Sequence, residues 1–440
     1  MSSTRSGNSM PDTPGNKLLF LAYPFPPANI TAAVRTWNMA RYLGRLGWEV
    51  TVVTLHPSIW RQVEQPERMG ERLQKEGIRL ILTDHRWRCL SPDHLRCWNR
   101  GPGWLAGGIC RRITRHLGID RGIGWVKPVE QACAALTPED VDVLLATGSP
   151  FAAFTVARRL SERLACPYIL DYRDPWTGNP HVTRSSSPHI FRKEARLLAE
   201  SAAVTIVSAS WGEAMDRRFG LGSKLHVISN GYDPEDLAAV VPKEFDHFAI
   251  VYTGNFYPPK RVISPLMAVL DRLKIHPSVQ DIPWFFHYYG GQEAHVRAEA
   301  ERFGVMDRVV CHGRVPRAEA LSAVRGAHVA VVITSVAAEA TMEERGIVTG
   351  KVFEALGLGT PVLLIAPRES DARVVIDTAG SGGCFTGTDL QGMESFLLRM
   401  MTGWRPQPAD RERFAWPGLA SRLDQILRHA IAGNEMAGIS

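Results

Sequence analysis

Two successive series of short apolar segments, alternating with helical patterns, most constrain what this chain can fold into. Each segment is short enough to be a buried strand, and strands separated by helices predict parallel sheets covered by helices on both faces. The first series comprises 17–23, 49–55, 78–82, 143–146, 168–171, 204–207 and 226–228. The second comprises 248–253, 284–289, 309–312, 329–334 and 362–365. The sequence therefore predicts an α/β protein with two doubly wound, Rossmann-like domains.

The chain divides near residue 240, where Asn230-Gly231 marks a turn and 234–243 has the composition of a linker. We predict an N-terminal domain over 17–238 and a C-terminal domain over 239–413. An amphipathic helix within 414–440 is long enough to cross back onto the N-terminal domain. Residues 1–16 are rich in Ser, Gly and Pro and lack the apolar stretch of a signal peptide, which predicts a disordered tail. In such sheets ligands bind beyond the carboxyl ends of the strands, here in the cleft between the domains.

Positive charge is concentrated in one segment, 58–125, where thirteen Arg and Lys stand against seven Asp and Glu; the net charge of the whole chain is +6. The segment also holds five of the twelve tryptophans: Trp60, Trp87, Trp98, Trp104 and Trp125. Basic side chains interleaved with Trp suit an anionic membrane surface or a phosphorylated partner. A solvated insertion whose indoles pack on the domain explains the same composition, and both interpretations stay open.

Several classes of protein are disfavoured. No apolar run approaches the roughly 18–20 residues that cross a bilayer. The seven cysteines are scattered and never spaced Cys-x-x-Cys, which fits a reducing cytoplasm and no structural zinc. The loop after the first strand has no Gly-x-Gly-x-x-Gly, so a dehydrogenase is not expected. Asp140-Val-Asp142 resembles a metal motif but precedes a buried strand, away from the cleft. His287 and His312 are interpreted as core histidines, and no nucleic-acid motif accompanies the basic pI.

The stretch 349–361 combines helix signals with two charges. Thr349 is a candidate N-cap, Lys351 lies in the first turn, and Gly357, Gly359 and Pro361 end the helix. Glu354 stands among apolar residues and needs a partner. One interpretation is a Lys351–Glu354 pair on an ordinary helix surface. The other places the helix start and Lys351 against a diphosphate, with Glu354 accepting hydrogen bonds from a ribose.

A set of ordered motifs resembles the bacterial glycosyltransferases of family 4, which have the two-domain GT-B fold. The resemblance runs from about residue 17 to residue 430. The motifs are Tyr23-Pro-Phe-Pro-Pro27, Asp171-Tyr-Arg-Asp-Pro-Trp176, Asn230-Gly-Tyr-Asp233, Tyr252-Thr-Gly-Asn-Phe256, His312-Gly-Arg-Val315 and Gly350-Lys-Val-Phe-Glu354.

The resemblance implies site residues position by position. The donor-binding residues it implies are Gly254, Asn255, Lys260, Arg314, Lys351, Glu354, Thr31 and Arg35. The catalytic residues it implies are Asp174, Lys260 and Arg173, which with Asp171 should face the cleft.

Two departures from the family pattern stand out. Asn255 replaces the first arginine of the diphosphate clamp, and Arg261 and Lys351 are the candidates to compensate. Gly346 replaces the first of two glutamates, and Glu343 and Glu344 are the candidates there.

The resemblance further implies a retaining, metal-independent hexosyltransferase that takes a sugar from a nucleotide-sugar. No cofactor is expected. The expected acceptor is a lipid-linked or other saccharide in polysaccharide or glycolipid assembly, reached from the cytoplasm with peripheral membrane contact through 58–125. Two alternatives stay open. One is a nucleotide-sugar epimerase of GT-B fold. The other is a non-catalytic protein that binds glycolipid or nucleic acid on a decayed transferase scaffold.

Overall fold

The computed structural model describes residues 15–63, 66–86, 120–179 and 188–437. Seven strands form the first sheet: β1 (Lys17–Leu21), β2 (Glu49–Leu55), β3 (Arg79–Thr83), β4 (Val143–Gly148), β5 (Tyr168–Tyr172), β6 (Ala203–Ile206) and β7 (Leu225–Val227). All neighbours are parallel, in the order β3-β2-β1-β4-β5-β6-β7. The order reverses between β1 and β4, so a crevice opens there at the carboxyl edge of the sheet.

Helices cover both faces of this sheet. They are α1 (Thr31–Arg45), α2 (Pro66–Lys75), α3 (Val126–Ala132), α4 (Ala152–Leu164), α5 (Pro188–Glu200), α6 (Ala209–Phe219) and the short α7 (Pro234–Ala238). Two apolar clusters, one on each face, make the core. The central strands β4, β5 and β6 are nearly continuous apolar runs because both of their faces are buried, whereas the edge strands β3 and β7 are partly exposed.

The second sheet has six parallel strands. They are β8 (Phe248–Thr253), β9 (Trp284–Tyr289), β10 (Val309–Cys311), β11 (Val329–Ile333), β12 (Val362–Ile365) and β13 (Gly382–Phe385). Their order is β10-β9-β8-β11-β12-β13, so the reversal lies between β8 and β11. The helices of this domain are α8 (Ser264–Lys274), α9 (Glu293–Arg302), α10 (Arg317–Gly326), α11 (Met342–Arg345), α12 (Gly350–Leu358), α13 (Asp371–Ala379) and α14 (Leu390–Met401).

The chain crosses between the domains twice, and the two crossings touch. The Tyr232 N–H donates to the Phe414 carbonyl, and the Trp416 N–H donates to the Tyr232 carbonyl, each at 3.0 Å. The last helix, α15 (Trp416–Ala437), then packs on α1. It buries an apolar stripe against the first sheet, formed by Trp416, Leu419, Leu423 and Leu427. Among the described residues, no helix is long and apolar enough to span a membrane.

The α/β fold with two doubly wound domains is confirmed, and three local predictions need correction. The linker predicted over 234–243 opens with helix α7, because Pro234 at the first turn and the Asp233 carboxylate at the N-cap start it. Strand β13 was not predicted, because Gly-Gly-Cys-Phe has no apolar run. Thr349 holds the N-cap position of α12, but its hydroxyl makes no capping hydrogen bond.

The Trp-rich segment is only partly described. Trp60 and Trp125 are buried in the core of the N-terminal domain, so their indoles pack on protein and are not available to a lipid surface. Trp87, Trp98 and Trp104 lie outside the described residues, as does the predicted tail up to residue 14.

Candidate functional site

The carboxyl edge of the second sheet carries a glycine-lined loop after β8. Gly254 has φ +109°, a conformation that suits glycine and strains other residues. Gly290, after the neighbouring strand β9, approaches so closely that a Cβ would overlap the Gly254 carbonyl oxygen. The backbone is therefore bare at the point where the order of the strands reverses, which is where doubly wound sheets bind ligands.

A hydrogen-bonded ring holds this loop in shape. The Tyr288 hydroxyl donates to the Gly254 carbonyl at 3.0 Å and accepts from the Gln292 N–H at 3.0 Å. The Gln292 side chain in turn accepts from the Phe256 N–H at 2.5 Å and donates to the Phe256 carbonyl at 3.3 Å. The loop is thus fixed by side chains from the adjacent strand end, and its geometry does not depend on a ligand.

Lys351 reaches this loop from the first turn of α12. Its Nζ lies 5.2 Å from the centroid of the Tyr252 ring, and a Cβ added at Gly254 would overlap it. No carboxylate among the described residues lies within ion-pair distance of Lys351. Burial, with the nearby Arg261 guanidinium, lowers the pKa of Lys351 to about 8. A half-buried ammonium at a helix N-terminus, with no anionic partner, is a site that favours an anion.

Arg261 adds a second cation beside it. Its Nε atom is buried and has no hydrogen-bond partner among the described residues, and its guanidinium lies 5.2 Å from the exposed Tyr257 ring. The backbone carbonyl of Asn255, which was predicted to stand in place of a clamp arginine, accepts from the Tyr252 hydroxyl at 3.2 Å. The structure thus brings Arg261 and Lys351 together next to the loop that contains Asn255.

Lys260, the predicted second member of the clamp, is mostly exposed and forms an ion pair with Glu344. Glu344 also closes a capping box with Thr341 at the start of α11. Of the two candidates for the missing first glutamate, Glu344 therefore lies beside the clamp lysine. The side chain of Glu343 lies outside the described part of the chain.

Glu354 lies one turn beyond Lys351 on α12 and forms an ion pair. Arg317 on α10 donates to its carboxylate at 2.6 Å, and both side chains keep substantial exposure. The Lys351–Glu354 surface pair does not form within ion-pair distance. Arg314 is exposed and places its guanidinium near Gly291. Arg314, Arg317 and Glu354 thus supply polar groups of both signs at the surface of the C-terminal domain.

Arg35 requires a correction. Its guanidinium is buried and uses all five N–H donors inside the N-terminal domain. Two donors bond the Asp171 carboxylate at 2.7 and 3.2 Å, and the others bond backbone or side-chain oxygens of residues 228–230. Thr147 and Thr205 also donate to Asp171. Burial raises the pKa of this carboxyl, but Arg35 and the two hydroxyls together hold it below its usual range. Arg35 and Asp171 are therefore a structural pair that does not face the cleft.

The remaining predicted residues of the N-terminal domain lie at the carboxyl ends of its strands. Arg173 follows β5 and donates to the carbonyls of Gly148 and Ser149, so its guanidinium holds the end of β4. Asp174, the next residue, is half-buried and close enough to Arg173 to favour its charge. Thr31 begins α1, and its side chain lies outside the described residues.

The aspartates and histidines that the sequence disfavoured as site residues have structural roles. Asp142 accepts from the Lys17 N–H at 2.6 Å, and Asp140 closes a capping box with Thr137. His287 is hydrogen-bonded to His247 and to His312 inside the C-terminal domain. In the described part of the chain, no cluster of three or more His, Cys, Asp or Glu side chains is arranged to hold a metal ion.

Sequence reasoning missed Tyr288, Gln292 and Arg317. Tyr288 and Gln292 act through hydrogen bonds to a loop more than thirty residues away. Arg317 on α10 forms a hydrogen bond to Glu354 on a different helix, α12. No local spacing signals such contacts. Two polar residues spaced four apart at the end of an apolar strand were the available hint.

Comparison with known proteins agrees with this geometry. Residues 32–236 match the family model of Glycosyltransferase Family 4. Sucrose-phosphate synthase from Thermosynechococcus elongatus is similar over 95% of this chain and 100% of its own, with 16% identity and a TM-score of 0.62. A glycosyltransferase from Rickettsia africae is similar over 96% of this chain and 97% of its own, with 12% identity and a TM-score of 0.55.

HepE of Anabaena, solved in complex with UDP-glucose, is similar over 96% of this chain and 99% of its own, with 14% identity and a TM-score of 0.52. No curated protein matches the sequence. At these identities the structural likeness shows the fold alone, and the family match covers the N-terminal domain. The N-terminal domain is thus similar to glycosyltransferase family 4, and the chain as a whole has the two-domain GT-B fold.

Proposed function

We propose that the chain is a retaining glycosyltransferase that binds a nucleotide-sugar at the carboxyl edge of its C-terminal sheet and transfers the sugar, of hexose type, to a saccharide acceptor. The observation that carries the proposal is the half-buried ammonium of Lys351. It lies against Gly254 at the start of α12 with no carboxylate partner among the described residues, next to the unpartnered Nε of Arg261. A diphosphate supplies the negative charge that this arrangement lacks.

The chemistry of glycosyl transfer suits these groups. As the bond between sugar and phosphate breaks, negative charge grows on the leaving diphosphate. Lys351, Arg261 and the N–H groups that open α12 lie where that charge develops, and Lys260 is a third cation nearby. Fixed positive groups stabilise such a transition state because they need no reorganisation as the charge appears. We propose that these cations neutralise the leaving group without a metal.

Two finer points belong to the same proposal. Asp174, at the cleft end of β5, is the candidate to orient or deprotonate the acceptor hydroxyl. A lipid-linked saccharide at the cytoplasmic face of a membrane is the proposed acceptor, supported by the basic composition of 58–125. Structures of HepE hold UDP or UDP-glucose, which makes a UDP-sugar the first donor to test.

The test is isothermal titration of the purified chain with UDP, GDP and ADP, repeated for Lys351→Met. Removing a charged partner of a phosphate costs about 2 kcal/mol, so we expect the Kd of the preferred nucleotide to rise roughly 30-fold. Lys274→Met is the matched control. Lys274 belongs to the same domain but pairs with Asp307 at 2.7 Å, away from the glycine-lined loop.

The control variant should bind within twofold of the wild-type chain. Failure of all three nucleotides to bind a folded wild-type chain would contradict the proposal. Equal losses in Lys351→Met and Lys274→Met would show that the site lies elsewhere. Consumption of a UDP-sugar without an acceptor, with an epimer as the product, would favour the epimerase alternative.

A further inference from the structure

One residue of the N-terminal domain contacts the donor side of the C-terminal domain directly. Trp211, in the first turn of α6, is buried in the core of its own domain. Its indole also meets Gly346 so closely that a Cβ on that glycine would overlap Cδ1. Gly346 has φ −75°, which any residue tolerates. The glycine is therefore required by the approach of Trp211, and of the Ser208 hydroxyl beside it, rather than by its own backbone.

The segment around Gly346 is bound to the N-terminal domain at more than one point. Ile347 packs against the same core cluster that contains Trp211. Arg217, further along α6, donates to the Met342 sulfur at 3.2 Å. Close by, the N–H and hydroxyl of Ser210 donate to Asp371 at 2.9 and 2.6 Å. We call residues 341–347 the docking segment.

The docking segment also holds the clamp lysine. Glu344 lies in its middle and is largely buried, with 15% of its side chain exposed. One of its carboxylate oxygens accepts from the Thr341 N–H at 3.2 Å, which fixes the first turn of α11, and the other pairs with Lys260. A shift of the docking segment therefore moves the only carboxylate that holds Lys260 among the described residues.

We propose that Trp211 is a positioning residue for the donor site of the opposite domain. It seats the docking segment through the space that Gly346 leaves, and seating places Glu344 against Lys260. The inference rests on the proposed function in that Lys260 belongs to the diphosphate clamp. It adds that contacts from the N-terminal domain hold the clamp in position. Separation of the domains at Trp211 therefore releases Lys260.

The test breaks the contact from each side. Gly346→Ala should displace the docking segment, because the new methyl group overlaps the indole. Trp211→Ala removes the indole, including the Cγ and Cδ1 atoms that face Gly346, and should release the segment in the same way. Gly70→Ala is the control, since a Cβ there meets nothing within 4 Å. Thermal unfolding of every variant checks that each is folded.

Two measurements report on the variants. Hydrogen exchange of a peptide covering the docking segment, without ligand, measures how firmly the segment is held against the N-terminal domain and needs no activity. Titration with the nucleoside diphosphate that binds the wild-type chain measures the affinity of the clamp for the diphosphate. We expect Gly346→Ala to exchange about tenfold faster and to bind three- to tenfold more weakly. Trp211→Ala should behave alike, and the double variant should lie within threefold of the more affected single variant in both measurements, because the two changes break one contact.

Wild-type exchange in Gly346→Ala or in Trp211→Ala, or additive losses in the double variant, would overturn the inference. So would faster exchange with unchanged affinity, because seating would then have no influence on the clamp. If the wild-type chain binds no nucleotide, the proposed function fails. The exchange measurement still decides whether Trp211 seats the segment.

Discussion

Arg35 and Lys351 are both cations close to the carboxyl edge of a parallel sheet, yet their surroundings differ completely. Arg35 finds Asp171, 136 residues away, and leaves no N–H for a ligand. Lys351 finds an aromatic ring and a bare glycine, and no carboxylate among the described residues. The sequence predicted both as donor-binding residues. Spacing along the chain places a residue at a strand end but does not show which distant side chain pairs with it.

Gly254 offers a prediction at the scale of one atom. In Gly254→Ala the added Cβ overlaps the Lys351 ammonium, so we expect the Kd for the nucleoside diphosphate to rise at least tenfold. Gly304→Ala is the matched control, because Gly304 also has positive φ but a Cβ there meets nothing within 4 Å. Both variants should lose about 1–2 kcal/mol of unfolding free energy from backbone strain. Unchanged nucleotide affinity in Gly254→Ala would place the anion away from Lys351.

At the scale of elements, a chain of histidines connects the three strands at one side of the second sheet. Asp246 bonds His247 at 2.6 Å, His247 bonds His287 at 2.8 Å, and His287 bonds His312 at 2.9 Å. Burial, then the neighbouring histidines, lowers the pKa of His287 from 6.5 to about 4. Above pH 6.5 His287 is neutral in both the folded and the unfolded chain, so its titration costs no stability there.

As the pH falls from 6.5 towards 4, the unfolded chain binds a proton that the folded chain refuses, and stability is lost. We expect the C-terminal domain to lose about 2 kcal/mol of unfolding free energy between pH 7.5 and pH 5, measured by denaturant titration. His287→Leu should remove most of this slope, whereas His276→Leu, outside the histidine chain, should keep it. An unchanged slope in His287→Leu would assign the acid sensitivity to other groups.

The elements themselves were largely predictable. Of the thirteen strands in the described residues, twelve overlap the apolar segments of the sequence. The central strands are buried on both faces, which requires apolar side chains along most of their length. Strand β13 was not predicted because it lies at the edge of the sheet, is only half-buried and begins with Gly382 and Gly383 instead of apolar side chains. The start of α7 escaped because a proline and three acidic residues resemble a linker until the Asp233 cap is seen.

At the scale of the molecule, the final helix belongs to the domain that begins the chain. Ending the chain after Phe414 removes α15 and exposes the apolar face that Leu419, Leu423 and Leu427 cover. We expect the N-terminal domain to unfold or to bind a dye for exposed apolar surface, with the thermal transition lowered or lost. A chain ending at Ala432 keeps every one of these buried residues and should unfold like the full chain. A native-like transition in the shorter chain would contradict this assignment.

The two crossings at Tyr232 and Phe414 also have a consequence for biosynthesis. The C-terminal domain lies within the sequence of the N-terminal one, so the domain that leaves the ribosome first is the one finished last. Until α15 has been translated, the nascent chain carries an uncovered apolar groove beside α1, β4 and β5. The order of synthesis thus makes α15 the step that completes the N-terminal domain, and a pause or truncation before residue 416 leaves a groove that chaperones must protect.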